Sequence, residues 1–483
     1  MNTDKLRLKY KTAVIGAGPA GLAAAGRLIH GGMTDFIIIE REHELGGILN
    51  QCIHNGFGLE FYHEDLTGPQ FARRMEKELL EELSVLPETT EKPAILCSSM
   101  VTATLENGRG YEVQISSRTK GILTIEAETV ITTTGCRERT RGNLEIPGTR
   151  PAGIFTAGQA QNLINRHHYA IGRKIIIQGS GDIGLIMARR LTLEGFDVIA
   201  VLERLPYLSG LIRNKVQCLD HFGIPLHLGR QITDIKGRGR LSSVLTKALD
   251  KDFNPLEGSE LRFDCDTILI AAGLIPELES VKTAGVELFD RLRPEVNTGY
   301  ETVRPGLFAA GNCLHINDLA DSAAVEGANA ADSVLKYLEA PDEFRAAIAE
   351  SGSLRPYKDP LPETELNEDY FNQLKDENYL VCIVCPKGCL LREGEYGCRR
   401  GEDYYKRTVS PAGAYSQRIH TTVEICGEIV PAVSVNEVAV SSARDLIIRL
   451  KSAAASLSCY QEELAVKINK CVYVFKLCPP SIR

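Results

Sequence analysis

The chain has 483 residues, which at about 150 residues per domain gives a prior of three domains. It carries 55 Lys and Arg against 63 Asp and Glu, a net charge of −8, which excludes a globally basic nucleic-acid binder. Trp is absent and aromatics make up only 6%, leaving no stacking platform for bases, and no apolar run of about 18 residues is available to span a membrane.

Residues 11–15 read as a short buried strand. The loop Gly16-Ala-Gly-Pro-Ala-Gly21 follows, then a small-residue helix over 22–30 and a second strand over 36–40, making one βαβ unit. The run after Lys9 and Lys11 has the charge and apolarity of a leader, but Gly16, Gly18 and Gly21 punctuate it as a nucleotide loop. Without an export signal the expected location is cytoplasmic. There the fourteen cysteines are expected to be free, metal-bound or catalytic rather than disulfide-bonded.

Residues 93–129 alternate polar and apolar around the turn Asn107-Gly108, which predicts an antiparallel β insertion. Residues 128–134 form a further strand. The pattern then restarts with a strand over 174–178, the loop Gly179-Ser-Gly-Asp-Ile-Gly184, a helix to about residue 194 and a strand over 197–203. The two units are displaced by 179 − 16 = 163 residues. Strands are also expected over 266–271 and 307–311, and a helix over 321–338. Residues 341–378 hold four prolines and ten acidic against four basic residues, the composition of a solvated linker. Residues 379–483 carry 14 basic and 10 acidic residues, so this stretch is +4 and the rest of the chain −12.

Each glycine of Gly16-x-Gly18-x-x-Gly21 has a reason. Gly16 permits the tight turn, Gly18 lets the backbone approach a pyrophosphate, and Gly21 lets the helix pack close to the strand. The helix N-terminus attracts phosphates, and Glu40 at the end of the second strand accepts ribose hydroxyls. Pro19, Ala20, Arg41 and Gly47 belong to the same expected site. The second loop, Gly179, Gly181, Asp182, Ile183 and Gly184 with Glu203, has the same grammar. Two dinucleotides are therefore expected: bound FAD on the first and exchanging NAD(H) on the second. Glu203 favours a free 2′-hydroxyl over a 2′-phosphate, so NADP(H) ranks second, with Arg204 as the opposing feature.

Both units, the strand end Thr132-Thr-Thr-Gly135 and Leu307-Phe-Ala-Ala-Gly311-Asn312 resemble the pyridine nucleotide–disulfide oxidoreductase superfamily over about residues 10–340. Four stretches narrow the resemblance: Gly46-Gly-Ile-Leu-Asn-Gln-Cys-Ile-His-Asn-Gly-Phe-Gly58, Gly135-Cys-Arg-Glu-Arg-Thr-Arg-Gly142, Pro147-Gly-Thr-Arg-Pro-Ala-Gly-Ile-Phe-Thr-Ala-Gly158 and Gly311-Asn-Cys-Leu-His-Ile-Asn-Asp-Leu-Ala-Asp321. They are similar to FAD/NAD-dependent oxidoreductases found with anaerobic glycerol-3-phosphate dehydrogenases and, more distantly, to alpha subunits of opine oxidases and dye-linked proline dehydrogenases. The resemblance implies that Thr134, Gly135, Gly311 and Asn312 also serve FAD. Two features depart from the superfamily. Cys52 stands alone in the flavin-side loop and the nucleotide domain has no CxxC, so no redox-active disulfide is expected. Asn312 replaces the usual aspartate. Cys52 and His54 are candidates for direct chemistry at the flavin, against plain loop packing. His315 with Asp318 and Asp321 is a candidate proton relay, against helix-start polar residues. Cys136 and Cys313 read as buried structural thiols.

Cys382-x2-Cys385-x3-Cys389-x8-Cys398 supplies four thiolates. Such a set holds a 4Fe–4S cluster or, as the alternative, zinc. Three ligands crowded into eight residues favour iron–sulfur, and the order is similar to the iron–sulfur loop of molybdopterin oxidoreductases. It also resembles a cysteine-rich domain that accompanies the flavoproteins just described.

The expected fold is α/β, with two Rossmann-like domains and a small cysteine-cluster domain. FAD is assigned to 1–146 and 275–340, NAD(P) to 147–274, a linker to 341–378 and the cysteine cluster to 379–483. The expected function is an FAD-dependent NAD(P)H oxidoreductase passing electrons onward through an iron–sulfur cluster. The expected partner is a flavoprotein dehydrogenase that oxidises glycerol 3-phosphate, an opine or an amino acid. The competing expectation is a non-catalytic electron-transfer or assembly protein with a structural zinc module. Oligomers are expected in either case.

Overall fold

The architecture comes from a computed structural model, which describes residues 7–289, 293–349, 353–354, 365–385, 387–409, 415–457, 459–468 and 471–479. The chain divides into two compact units. The first takes in residues up to 137 and 274–359, the second 138–273 and residues from 360 onward.

The first unit is built on a seven-stranded sheet. Lys9–Ile15 lies between Phe36–Ile39 and Gly121–Thr132, parallel to both, and Ala94–Leu96 extends the parallel edge. Phe36, Ile37 and Ile38 are fully buried, as an all-apolar strand covered on both faces must be. Gly121–Thr132 serves two neighbours along one side. Its first half pairs antiparallel with Tyr111–Ser117, and Val130–Thr132 pairs parallel with Leu307–Ala309. Ser99–Glu106 completes the antiparallel insertion, so the alternation seen in the sequence is the pleat of this ribbon. The helix Pro19–His30 packs on one face. It meets Ala320–Glu339 so closely that a side chain at Gly327 would overlap the carbonyl of Ala20.

The second unit repeats the plan with a five-stranded parallel sheet in the order Ile154–Thr156, Thr267–Ile270, Lys174–Gln178, Asp197–Leu202, Leu226–His227. A three-stranded antiparallel sheet, Arg230–Arg238, Arg240–Ala248 and Leu261–Phe263, covers part of it. Further along the chain, Leu380–Val381 pairs with Leu390–Leu391 beside the helix Arg399–Thr408. A four-stranded antiparallel sheet follows, with Val440–Ala455 packed on it around the buried Phe475. Cys471–Leu477 pairs with both Glu428–Ser434 and Glu463–Ile468 in that sheet.

The stretch read as a linker is more structured than its composition suggests. Pro341–Ala349 is a helix whose Phe344 is buried against Phe308 and Tyr337. Glu368–Asp376 is a second helix, capped by the Asn367 side chain. A few well-spaced apolar residues hold these helices despite the surrounding acid. The rest of that stretch, 350–352 and 355–364, lies outside the described residues.

Within the second unit a buried ionic network joins the helix Asp182–Glu194 to the C-terminal sheet. Arg189 is buried and donates to Gln417 Oε1 and the Arg418 carbonyl. Glu194 receives Arg190, Lys451 and the Thr421 hydroxyl. Burial pushes the Glu194 carboxyl up, but Arg190 and Lys451 outweigh it and hold the group at about 2. A carboxylate held below its unfolded value stabilises the fold above that value and loses the contribution as pH falls through the folded one. From a usual 4.5 to about 2, this is worth about 3 kcal/mol near neutrality. Glu194→Ala is therefore expected to lower unfolding stability at pH 7 by about 3 kcal/mol or more, since it strands Arg190 and Lys451. In denaturant titrations the gap to wild type should narrow from about pH 4.5 toward pH 2. A gap independent of pH would show that the network contributes through packing alone.

Candidate functional site

In the first unit the strand Lys9–Ile15 ends at Gly16, whose φ of +99° puts it in the left-handed region. A Cβ there would stand 2.5 Å from the Thr133 carbonyl, and one at Gly21 would overlap the Gly16 carbonyl. Both positions therefore require glycine for close approach. A side chain at Gly18 would meet nothing within 4 Å, so the chain presents open space at the N-terminus of the helix Pro19–His30. Glu40 is 4% exposed. Its Oε2 accepts the Ala17 N–H at 2.7 Å and its Oε1 the Glu42 N–H at 2.8 Å. Burial raises its pKa, and those N–H groups and Arg41 pull it back.

The loop after Glu40 folds onto this turn. Gly46 N–H donates to the Ala17 carbonyl at 2.8 Å. Gly47, with φ +57°, lies so that its Cβ would stand 3.0 Å from Gly18 Cα. From the other side comes the strand end Leu307–Ala309, after which Gly311 approaches Ala20. Gly311 N–H donates to Glu326 Oε2 at 2.7 Å, while Asn312 Oδ1 accepts the Asn317 N–H at 3.0 Å. Asn312 Nδ2 reaches Cys136 Sγ at 3.7 Å, and the Thr134 hydroxyl donates to the Glu277 carbonyl. Gly135, at φ +71°, has open space at its Cβ position. Asn50 Oδ1 and Thr132 Oγ1 are buried and without a hydrogen-bond partner among the described residues. A glycine turn open at a helix N-terminus, a buried acid and stranded acceptors nearby fit a dinucleotide.

The second turn has the same construction. Gly179 has φ +113°, and a side chain at Gly184 would overlap its carbonyl. Gly181 again faces open space. Glu203, 5% exposed, accepts the Ser180 N–H at 2.8 Å on Oε2 and the Leu205 N–H at 3.0 Å on Oε1. Asp182 opens the helix, and Ile183 lies in its first turn. Arg204 stacks on Phe253, 4.5 Å from the ring centre.

Two candidates for chemistry change character. Cys52 is buried, donates to the Ile48 carbonyl, and is pushed up to about 12 by burial, so it remains a thiol at neutral pH. His54 Nδ1 lies 3.0 Å from the Asn55 carbonyl, and the ring sits against Phe57. Of the residues read as a relay, His315 with Asp318 and Asp321, the structure gives Asp321 and His315 separate partners. Asp321 is buried and accepts N–H groups from Gly58, Glu60 and Phe61, so it pins the loop after Cys52. His315 instead faces Glu326, 3.3 Å away, and burial raises the Glu326 carboxyl. Sequence reasoning missed Glu326 because it sits in a helical run of small residues with no motif around it. Asn50 lay inside a motif without being singled out.

The four C-terminal thiols share one neighbourhood. Cys382 N–H donates to the Cys389 carbonyl at 2.8 Å, and Cys398 Sγ accepts the Gly401 N–H at 3.4 Å as the cap of the helix Arg399–Thr408. Burial raises the Cys382 thiol, and Cys385, Cys389 and Cys398 add to the shift. The donor chemistry suits a metal, but among the described residues no three His, Cys, Asp or Glu side chains stand in metal-holding positions.

Burial also ranks the cysteines by reactivity. Cys52, Cys218 and Cys265 are pushed to about 12 and Cys313 to about 11, whereas Cys398, Cys426, Cys459 and Cys471 are exposed. Brief iodoacetamide treatment of native protein at pH 8, read by peptide mass spectrometry, is expected to label Cys426, Cys459 and Cys471 and spare the buried four. Early labelling of Cys52 would restore it as a candidate nucleophile.

Residues 10–327 match the pyridine nucleotide-disulphide oxidoreductase family. The chain is 26% identical over 357 residues to the glutamate synthase [NADPH] small chain of Escherichia coli, covering 68% of this chain and 69% of that one. It is 23% identical over 336 residues to one of the opine oxidase subunits of Agrobacterium tumefaciens, covering 67% of this chain and 63% of the relative. In fold it is similar to T. acidophilum thioredoxin reductase, with a TM-score of 0.56 at 21% identity, covering 69% of this chain and all of that one. Among the described residues no helix is long and apolar enough to cross a membrane. With its Rossmann-like sheet and glycine turns lying inside the matched region, the chain belongs to the pyridine nucleotide–disulphide oxidoreductase family of flavin-dependent enzymes.

Proposed function

We propose that this protein is an NAD(H)-linked FAD oxidoreductase that works without a redox-active disulfide and passes electrons to a partner protein. The observation that carries the reading is the recurrence of one hydrogen-bonded turn, with its buried acid, in each unit. When bound, the nicotinamide and flavin supply hydride exchange, and a 4Fe–4S centre supplies single-electron transfer.

The protein's part is to bind and orient. Gly16, Gly18, Pro19, Ala20, Gly21 and Gly47 shape the FAD pyrophosphate site, and Glu40, with Arg41 beside it, takes the adenosine ribose. Thr134, Gly135, Gly311 and Asn312 line the rest. Gly179, Gly181, Asp182, Ile183, Gly184 and Glu203 form the NAD(H) turn. Arg204 is stacked on Phe253, which supports a free 2′-hydroxyl over a 2′-phosphate there. Cys52 is too buried for thiolate chemistry, which supports a route without a dithiol. The FAD assignment to 1–146 and 275–340 and the NAD(P) assignment to 147–274 are kept in this reading. Cys382, Cys385, Cys389 and Cys398 are assigned to the cluster. The opine oxidase and glutamate synthase relatives are named as parts of larger enzymes. That favours a partner dehydrogenase for this chain, one that oxidises glycerol 3-phosphate, an opine or an amino acid.

Anaerobically purified protein is expected to carry about one FAD that bleaches on NADH addition, with iron and sulfide in cluster stoichiometry. Glu203→Ala should weaken NADH binding roughly tenfold to a hundredfold, the worth of a hydrogen bond to a charged group, about 1.5–3 kcal/mol. Protein that takes up no FAD overturns the reading. Stoichiometric zinc without iron would end the electron path at the flavin. Bound flavin inert to NADH would leave a non-catalytic electron-transfer or assembly protein.

A further inference from the structure

The register shared by the two turns runs beyond the glycines. Glu40 and Glu203 differ by 163, and so do Gly46-Gly47 and Ser209-Gly210. In both units the segment after the acid folds back onto the turn: Gly46 N–H reaches the Ala17 carbonyl, and Ser209 N–H reaches Ser180 Oγ at 3.0 Å. Within this frame three of the positions that differ add a polar group to the second turn. Ala17 becomes Ser180, Pro19 becomes Asp182 and Gly46 becomes Ser209.

The added groups have definite partners. The hydroxyls of Ser180 and Ser209 both donate to Glu203 Oε2, at 2.6 and 2.8 Å. With the N–H groups of Ser180 and Leu205, Glu203 accepts four hydrogen bonds, whereas Glu40 accepts two. Each carboxylate oxygen offers about two lone-pair positions, so Glu203 Oε2, with three donors, is filled from within the chain, whereas among the described residues each Glu40 oxygen accepts one bond. Asp182 is the first residue of its helix, where Pro19 carries no charge. Its Oδ1 accepts the Leu211 N–H and Asn214 Nδ2, both at 2.8 Å. A carboxylate in a first helical turn offsets the positive potential of the helix end that a pyrophosphate would use, and it repels that pyrophosphate. The same bonds seat Gly210, whose Cβ would stand 2.7 Å from Asp182 Oδ1 and 2.8 Å from the Ser180 carbonyl.

We propose that Ser180, Asp182 and Ser209 make the second turn the exchanging member of the pair. They offset within the chain the positive helix end, and fill the carboxylate oxygen, that the first turn leaves to its dinucleotide. Binding at the second turn is then a swap of partners, and binding at the first is a net gain. A hydride carrier that must leave after each turnover needs the former, and a resident flavin needs the latter. The inference rests on the reading of the second turn as the NAD(H) site and adds which residues set its affinity.

The test is equilibrium binding and stopped-flow release of NADH on the FAD-loaded protein, followed by nicotinamide fluorescence. Asp182→Asn keeps an oxygen acceptor for Leu211 and Asn214 and removes only the charge. It is expected to tighten NADH about fivefold to tenfold at low salt, mainly through slower release. The gain should shrink at high ionic strength. Ser180→Ala with Ser209→Ala is expected to tighten NADH by a comparable factor that does not depend on salt. FAD content and melting temperature, read alongside, should match wild type. Unchanged or weaker NADH binding in both variants, with wild-type FAD content and melting, overturns the inference while leaving the NAD(H) site standing. Wild type and variants that all fail to bind NADH overturn both.

Discussion

A carboxylate at the end of a strand, sunk into the protein and gripped by the backbone of the neighbouring turn, is the constraint on which both halves of this molecule are built. Leaving water costs a carboxylate several kcal/mol unless donors replace the lost hydration. Glu40 finds them in Ala17 and Glu42, and Glu203 in Ser180 and Leu205. The bonds from Ala17 and Ser180 tie the second strand of each unit to the loop after the first. The turn cannot drift without stranding the acid, and the acid cannot swing away without exposing the turn. Glycine follows from the same demand: carbonyls of the adjacent strand and of the turn itself occupy the space where Cβ atoms would lie.

The helix Asp182–Glu194 shows how such a turn is held from a distance. Its first residue fastens the segment around Gly210. Its last turns carry Arg189, Arg190 and Glu194 to the C-terminal strands and helix, where Gln417, Thr421 and Lys451 meet them. A helix of thirteen residues is stiff, so the C-terminal sheet and the nucleotide turn brace opposite ends of one rod. The cysteine-bearing segment leans on the same region: the Cβ position of Gly388 lies 3.3 Å from Ile212, and Val216 packs with Cys382, Leu391 and Tyr404. The C-terminal part is thus a structural component of the second unit rather than a tethered appendage.

Cysteine illustrates how one residue type takes several fates by environment. Cys313 is buried and donates to the Thr132 and Ala310 carbonyls at the end of a sheet strand. Cys218 is buried beside Arg189, and desolvation outweighs that cation. Cys398 sits exposed at a helix start with its sulfur on a backbone N–H. Thiol count says nothing about these differences. They follow from whether the surrounding packing leaves water or cations near the sulfur.

Local pattern determined a good deal of this protein. The two glycine turns, their strands and helices, the antiparallel ribbon around Asn107-Gly108 and the constant spacing between units were legible because each depends on neighbours within a few residues. Strand pairing, glycine strain and helix starts are short-range physics. What the sequence could not show is where distant side chains meet. It grouped His315 with Asp318 and Asp321, but packing gave Asp321 to the backbone of Gly58, Glu60 and Phe61 and set His315 against Glu326. It suggested a solvated linker where Phe344 and a capped helix find apolar partners. It marked Glu203 as an acid at a strand end, but only the folded chain brings the Ser180 and Ser209 hydroxyls onto it. Such contacts are set by the burial of whole faces against one another, and that is decided by the tertiary fold because no single stretch of chain contains both partners.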